Sequence, residues 1–165
     1  MNSNDWKRLL LSCVAVAVLV SQAVAGAVLT EDQALKISKD IEVLSNARDV
    51  DGVLKYLAPD VILTMNVHSS SIPGGVQTVT LDRVQYEESL RQAWGSAEEY
   101  SYKQSDEKVV IQDEGQTAVV SCKIHERVVM GGVAQENDTE EVSTIRMIDG
   151  KPLVTKVVAD VHLPN

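Results

Sequence analysis

From Tyr100 to Val161 apolar and polar residues alternate with a period of two, broken only at short turn-forming clusters. The alternation predicts four strands, at residues 100–111, 117–130, 133–148 and 153–161. Asp113-Glu114-Gly115, Gly131-Gly132 and Asp149-Gly150 separate them. Such steps suit tight hairpins, whose turns need positive φ. Ahead of the strands the period becomes helical. Residues 82–96 predict one amphipathic helix with Val84, Leu90, Ala93 and Trp94 as its buried face. An earlier helix starts at Thr30, where Gln33 completes a capping box, and carries Ala34, Ile37, Ile41 and Leu44 at helical spacing.

Between these helices the pattern is less regular. Asp51-Gly52 interrupts the first, a short second helix is expected over 53–57, and Pro59 ends it. Residues 61–65 form a continuously apolar strand. Residues 67–79, rich in Ser, Gly and Thr around Pro73-Gly74-Gly75, read as a flexible flap or loose hairpin. The whole is an α+β domain: a cone-shaped, curved antiparallel sheet wrapped around N-terminal helices.

The turn at Gly131-Gly132 sets a register that charge can check. With Met130 opposite Val133, Lys123 faces Glu140, His125 faces Asp138 and Arg127 faces Glu136. Three opposite-charge pairs mark the solvated face, each stabilising by about 0.2–1 kcal/mol. Ala118, Val120, Cys122, Ile124, Val128 and Met130 then point inward. For the last hairpin, a three-residue loop with Gly150 left-handed brings Leu153, Val157, Ala159 and Val161 inside, and leaves Val154 and Val158 outside. Those two valines suggest a homodimer formed through the outer face.

The N-terminus reads as an export signal. Lys7 and Arg8 precede an apolar run from Leu9 to Val20, and Ala23-Val24-Ala25 offers a cleavage site before Gly26. An uncleaved anchor and a lipid-modified Cys13 remain open, although Leu10-Leu11-Ser12-Cys13 leaves almost no apolar core ahead of the cysteine. Cleavage leaves residues 26–165 as one domain, in a secreted or periplasmic location and without membrane insertion. Losing Lys7, Arg8 and Asp5 moves the formal net charge from -9 to -10. That acidity disfavours nucleic acid and anionic lipid surfaces, which need clustered Lys and Arg. One cysteine, Cys122, survives processing, so the core holds itself without an internal disulfide.

Three segments carry a family likeness: Tyr56-Leu57-Ala58-Pro59-Asp60-Val61-Ile62-Leu63-Thr64, the helix end Leu90-Arg91-Gln92-Ala93-Trp94, and the closing Asp149-Gly150-Lys151. With the element order, they make the chain resemble the nuclear transport factor 2-like superfamily over residues 30–162. That superfamily includes ketosteroid isomerases, SnoaL-like polyketide cyclases and many binding proteins without catalysis. The resemblance implies the cystatin-like α+β barrel and says little about function. The isomerase branch carries its catalytic aspartate on the first strand, a few residues beyond the position of Asp60. Here that place reads Thr64-Met65-Asn66, so no catalytic residue carries over. Asp60 itself is expected to organise a turn.

Candidate chemistry centres on Glu126, which the register puts on the apolar face opposite Asn137, with Thr139 and Glu141 on the same side. It is either a ligand contact, a base, or a residue reaching water at the cone's rim. Trp94, Tyr100, Tyr102 and Met65 stand where they can wall a pocket or fill a core. Ligand-pocket candidates are therefore Glu126, Asn137, Glu141, Trp94, Tyr100 and Met65. His125 and Asp138 are explained by cross-strand pairing. The three histidines lie on unrelated segments without metal-ligand spacing, so neither metal nor cofactor is expected. Cys122 reads as a packed small hydrophobe. The first reading is an exported binding or interaction module for a small apolar ligand. Its alternatives are an isomerase, cyclase or dehydratase with a substituted acid-base set, and a structural accessory subunit. Polar groups converging inside the cone favour the enzyme, and a filled cone favours the accessory.

Overall fold

The computed structural model describes residues 28–164; the export signal expected over 1–25 lies outside them. Thr30 caps α1 (Glu31–Asn46) through the predicted capping box with Gln33. Helix α2 (Val50–Leu54) begins earlier than its sequence reading, because Asp49 takes the cap and accepts from the Gly52 N–H at 2.9 Å. Pro59 therefore does not end that helix. It lies within β1 (Leu57–His68), in an irregular stretch between Leu57 and Ile62. Asp60 sits exposed in the same stretch.

Strand β2 (Val76–Leu81) pairs antiparallel with β1, so the expected flap is a regular hairpin with a loop at its tip. Helix α3 (Arg83–Ser96) is capped by Asp82. Its inner face is Tyr86, Leu90 and Trp94, each four residues from the next, whereas Val84 and Ala93, expected inside, are exposed. Strands β3 (Glu99–Gln112), β4 (Thr117–Met130), β5 (Val133–Ile148) and β6 (Lys151–His162) form the meander.

The six strands lie in the order β2-β1-β6-β5-β4-β3. The sheet is curved and unclosed, so the cone stays open along one side. It is also not wholly antiparallel, since β6 returns to run parallel to β1. A parallel pair needs a long crossover, and α3 with the whole meander supplies it. The Gly131-Gly132 turn gives the predicted register, with Lys123, His125 and Arg127 opposite Glu140, Asp138 and Glu136. The ion pairs are partly redistributed. His125 meets Asp138 at 2.9 Å, Arg127 lies closer to Glu99 (2.7 Å) than to Glu136 (3.6 Å), and Lys123 reaches Asp106 at 3.2 Å.

The last hairpin corrects the sequence reading. Asp149 (φ 50°) and Gly150 (φ 74°) form a two-residue turn, with Ile148 opposite Lys151. Near the turn this register puts Val154 inward against Ile145, and Val154 is 2% exposed. A bulge at Thr155 then shifts the pairing so that Thr144 faces Lys156, and Val157 and Ala159 turn inward as well. One extra residue thus satisfies both the tight turn and the buried face. Val154 therefore cannot serve an outer interface; Val158 remains on that side. The core packs Ala34, Ile37, Val53, Val61, Ala118, Val120, Ile145 and Val154 between α1, α2 and the sheet.

Candidate functional site

Along β4 the inward positions Ala118, Val120, Cys122 and Ile124 are buried and apolar, and the next is Glu126. This change falls where α1 runs out. Asn46, its last residue, ties the helix end to β3 by accepting from the Tyr102 N–H at 2.9 Å and donating to the Tyr102 carbonyl at 2.7 Å. Beyond that point a cavity of about 350 Å³ opens beneath α3, against the concave face of the sheet. A wider depression of about 480 Å³ at the Asp106 bulge is open to solvent and edged by exposed charged residues. The sheltered cavity holds the candidate chemistry.

Strand β5 lays a polar stripe through it, from Asn137 through Thr139 and Glu141 to Ser143. On the β6 and β1 side the lining is apolar, with Val157, Ala159, Val161, Leu63, Met65 and Val67. Aromatic walls come from Tyr86 and Trp94 on α3 and Tyr100 and Tyr102 on β3. Trp94 meets Tyr100 edge-on, with ring centroids 5.7 Å apart. All six sequence candidates, Glu126, Asn137, Glu141, Trp94, Tyr100 and Met65, therefore line one space.

Glu126 is held from two sides. The Tyr100 hydroxyl donates to its Oε1 at 2.6 Å and the Asn137 amide donates to its Oε2 at 2.9 Å. Thr139 steadies that amide by donating to Asn137 Oδ1 at 3.3 Å. Burial, and then the Glu126 carboxylate, raise the Tyr100 phenol far above its usual range, so it stays a donor. Glu141 has a sparser setting. It is partly buried, its one side-chain hydrogen bond comes from Ser143 at 2.8 Å, and burial raises its pKa, favouring the protonated form. Tyr86, raised by burial and then by Glu141 and Glu126, lines the same cavity. Sequence reasoning missed Tyr86, although its spacing from Leu90 and Trp94 carries the signal.

The raised pKa of Glu141 predicts a pH signature. A carboxyl raised in the folded state contributes stability that is complete below its ordinary value of 4.5 and is lost as pH rises through the folded pKa. Glu141→Gln removes this term. The melting temperature of the variant relative to the parent is expected to rise as pH is taken from 4.5 to 8, levelling off wherever the folded pKa is passed. A difference that stays flat across that range overturns the assignment.

Other candidates fall elsewhere. Cys122 is packed inward, and burial, followed by nearby Glu141, pushes its thiol up to about 12, which suppresses the thiolate. The sheet gathers the histidines that the sequence leaves scattered. His68, His162, Asp138 and His125 occupy one cross-strand row, with the His68 and His162 rings stacked at 4.6 Å. Among the described residues no three His, Cys, Asp or Glu side chains converge on a metal position.

No family model and no curated protein matches this chain. Solved structures do. A nuclear transport factor 2-like protein from Cytophaga hutchinsonii is 18% identical, with a TM-score of 0.61 over 78% of this chain and 95% of its own. A nuclear transport factor 2-like protein of unknown function in nutrient uptake, from Rhodospirillum rubrum, is also 18% identical, with a TM-score of 0.59 over 77% and 96%. A protein from Novosphingobium aromaticivorans, provisionally named a scytalone dehydratase, is 11% identical, with a TM-score of 0.58 over 78% and 80%. Likeness at this identity speaks for architecture, and members of that architecture include both binding proteins and enzymes.

Proposed function

We propose that this nuclear transport factor 2-like fold serves as an exported, single-domain binding module that takes a small, largely apolar ligand into the cavity beneath α3. One observation carries the reading: a cavity with aromatic and aliphatic walls surrounds a single well-anchored carboxylate, Glu126. A mostly apolar space with a few oriented polar groups is the usual form of a small-molecule site, and about 350 Å³ lies near the lower end of the common range. The open cavity also counts against the accessory-subunit alternative, which requires a filled cone. The Rhodospirillum rubrum neighbour, named for nutrient uptake, fits an extracytoplasmic binder.

Trp94 makes the test convenient, because it is the only tryptophan in residues 26–165 and lines the cavity. Native mass spectrometry of exported protein is expected to reveal a co-purified small molecule. Titration with neutral 2-(1-naphthyl)ethanol is expected to change Trp94 emission saturably. The absence of both overturns the reading.

A second reading, an acid-base enzyme, is favoured by one feature: the Glu141 carboxyl and the Tyr86 phenol are two donors facing the cavity that holds the acceptor Glu126. Glu126 pairs with Asn137, and Glu141 stands four residues further along β5, roughly 13 Å along the strand. That spacing suits a ligand held at both ends better than two groups sharing one proton, so binding ranks first. A bound molecule that changes mass on incubation supports the enzyme; unchanged recovery removes it.

Export and assembly are proposed with it. Intact exported protein is expected to begin at Gly26, and a species starting at Met1 or lipidated on Cys13 overturns this. Exposed Ile62, Val110 and Val142, with Val158 beside Val142, supply an apolar outer face for a homodimer. Sedimentation at micromolar concentration is expected to give twice the monomer mass, and a clean monomer rejects the pairing.

A further inference from the structure

Counting donors and acceptors around the cavity narrows the kind of ligand it takes. Its lining holds two carboxyl groups and no Lys, Arg or His. Several side-chain donors in the lining are already committed. Tyr100 and Asn137 donate to Glu126, Ser143 donates to Glu141, and Thr139 donates to Asn137. Those that remain, the hydroxyls of Tyr86, Tyr102 and Ser45 and the Glu141 carboxyl, are all neutral. Acceptor capacity, by contrast, is left over. A carboxylate offers about four lone-pair sites, of which Glu126 uses two. The carboxylate of Glu126 is balanced by neutral donors alone. Charge in an enclosed site is costly until an opposite charge meets it, and here the protein supplies none.

We propose that the ligand is an organic cation: a primary or secondary amine, protonated at neutral pH, on an apolar body of about two fused rings. This rests on the binding reading and specifies its ligand. An ammonium brings two or three N–H donors to the unused lone pairs of Glu126, and its charge completes the site. The faces of Tyr86, Trp94, Tyr100 and Tyr102 offer cation–π contact within the same space. The aliphatic side of the cavity, from Leu63 to Val67 and from Val157 to Val161, takes the hydrocarbon. The strongly acidic chain raises the local concentration of such a ligand before it docks. A carboxylate or phosphate ligand meets the opposite situation, with the like-charged Glu126 ahead of it and only neutral donors to receive it.

Three probes sharing one body separate the possibilities: 2-(1-naphthyl)ethylamine, 2-(1-naphthyl)ethanol and 1-naphthaleneacetate. Calorimetric titration of the full exported protein at pH 7 is expected to rank the amine about tenfold or more above the alcohol, with the acetate weakest. In Glu126→Gln the amine-over-alcohol ratio is expected to fall markedly, and in the double variant with Glu141→Gln to vanish. Equal binding of amine and alcohol, or preference for the acetate, overturns the cationic ligand and leaves the cavity reading intact. An amine preference that survives the double variant locates the attraction on the acidic surface and overturns the inference as well. If none of the three binds, the cavity reading fails and this inference falls with it.

Discussion

Replacing Trp94 by alanine is expected to lower stability by about 3–5 kcal/mol, the range for removing a large buried aromatic ring. Trp94 is 6% exposed and joins α3 to β3 through its edge-on contact with Tyr100. Losing it forfeits the transfer of the indole from water and the aromatic pairing, which adds about 0.5–1.5 kcal/mol. The void left behind merges with the existing cavity, so α3 has little to collapse against. Trp94→Phe keeps a ring at the same place and is expected to cost well under half as much. Urea unfolding followed by circular dichroism reads both, with the slope unchanged if only the native state is affected. A loss below about 1 kcal/mol for Trp94→Ala means that α3 is held by its other contacts, and Trp94 serves the cavity alone.

The meander was legible in the sequence because two independent signals agree there. Gly131-Gly132 sets the β4–β5 register, and the facing charges confirm it, so the sequence alone places Glu126 opposite Asn137. What escaped is each place where a strand gains a residue. On β3 the inward positions Tyr100, Tyr102 and Gln104 are even-numbered, whereas Val109 and Ile111 are odd. The bulge at Asp106, with φ 57°, makes that switch. The same device at Thr155 separates the last hairpin from its sequence reading, which keeps one register and lengthens the turn to bury the same face. A bulge and a longer loop shift alternation identically, so periodicity alone cannot choose between them.

The cavity was only half legible, for a different reason. Polar residues at inward positions of β5 mark an interior that is not hydrocarbon, and this much can be read from Asn137, Thr139, Glu141 and Ser143. Whether such residues reach the rim or line a space depends on where α1 ends and what covers the sheet beyond it. The tie of Asn46 to β3 and the position of α3 decide that, and neither is written in strand periodicity. The inner face of α3 shows the same limit. Leu90 and Trp94 lie inside as expected, whereas Val84 is exposed and Tyr86 lines the cavity. A tyrosine whose ring is enclosed while its hydroxyl faces a cavity looks polar to a periodicity count.

Glu126→Gln is expected to leave stability within about 1 kcal/mol of the parent while weakening ligand binding by about 1.5–3 kcal/mol, roughly 10- to 150-fold. The stability half follows from the hydrogen bonds. The new amide keeps an oxygen for the Tyr100 hydroxyl, but its NH2 replaces the oxygen that accepts from Asn137. Turning the Asn137 amide over restores that contact, with Asn137 Oδ1 accepting, and the Thr139 hydroxyl, which both donates and accepts, follows the change. Glu126→Ala has no such escape. It strands the Tyr100 and Asn137 donors, each costing about 1–3 kcal/mol where water does not reach them. The pair of variants therefore separates charge from occupancy: the alanine change is expected to destabilise and the glutamine change is not. Binding separates further. A ligand held only by the apolar walls loses little in Glu126→Gln, whereas an ammonium loses its charged partner. Unfolding and naphthylethylamine titration on the same preparations check both halves. If the glutamine variant binds the amine as tightly as the parent, the carboxylate is a structural prop for Tyr100 and Asn137, and the anchor of the site lies at Glu141.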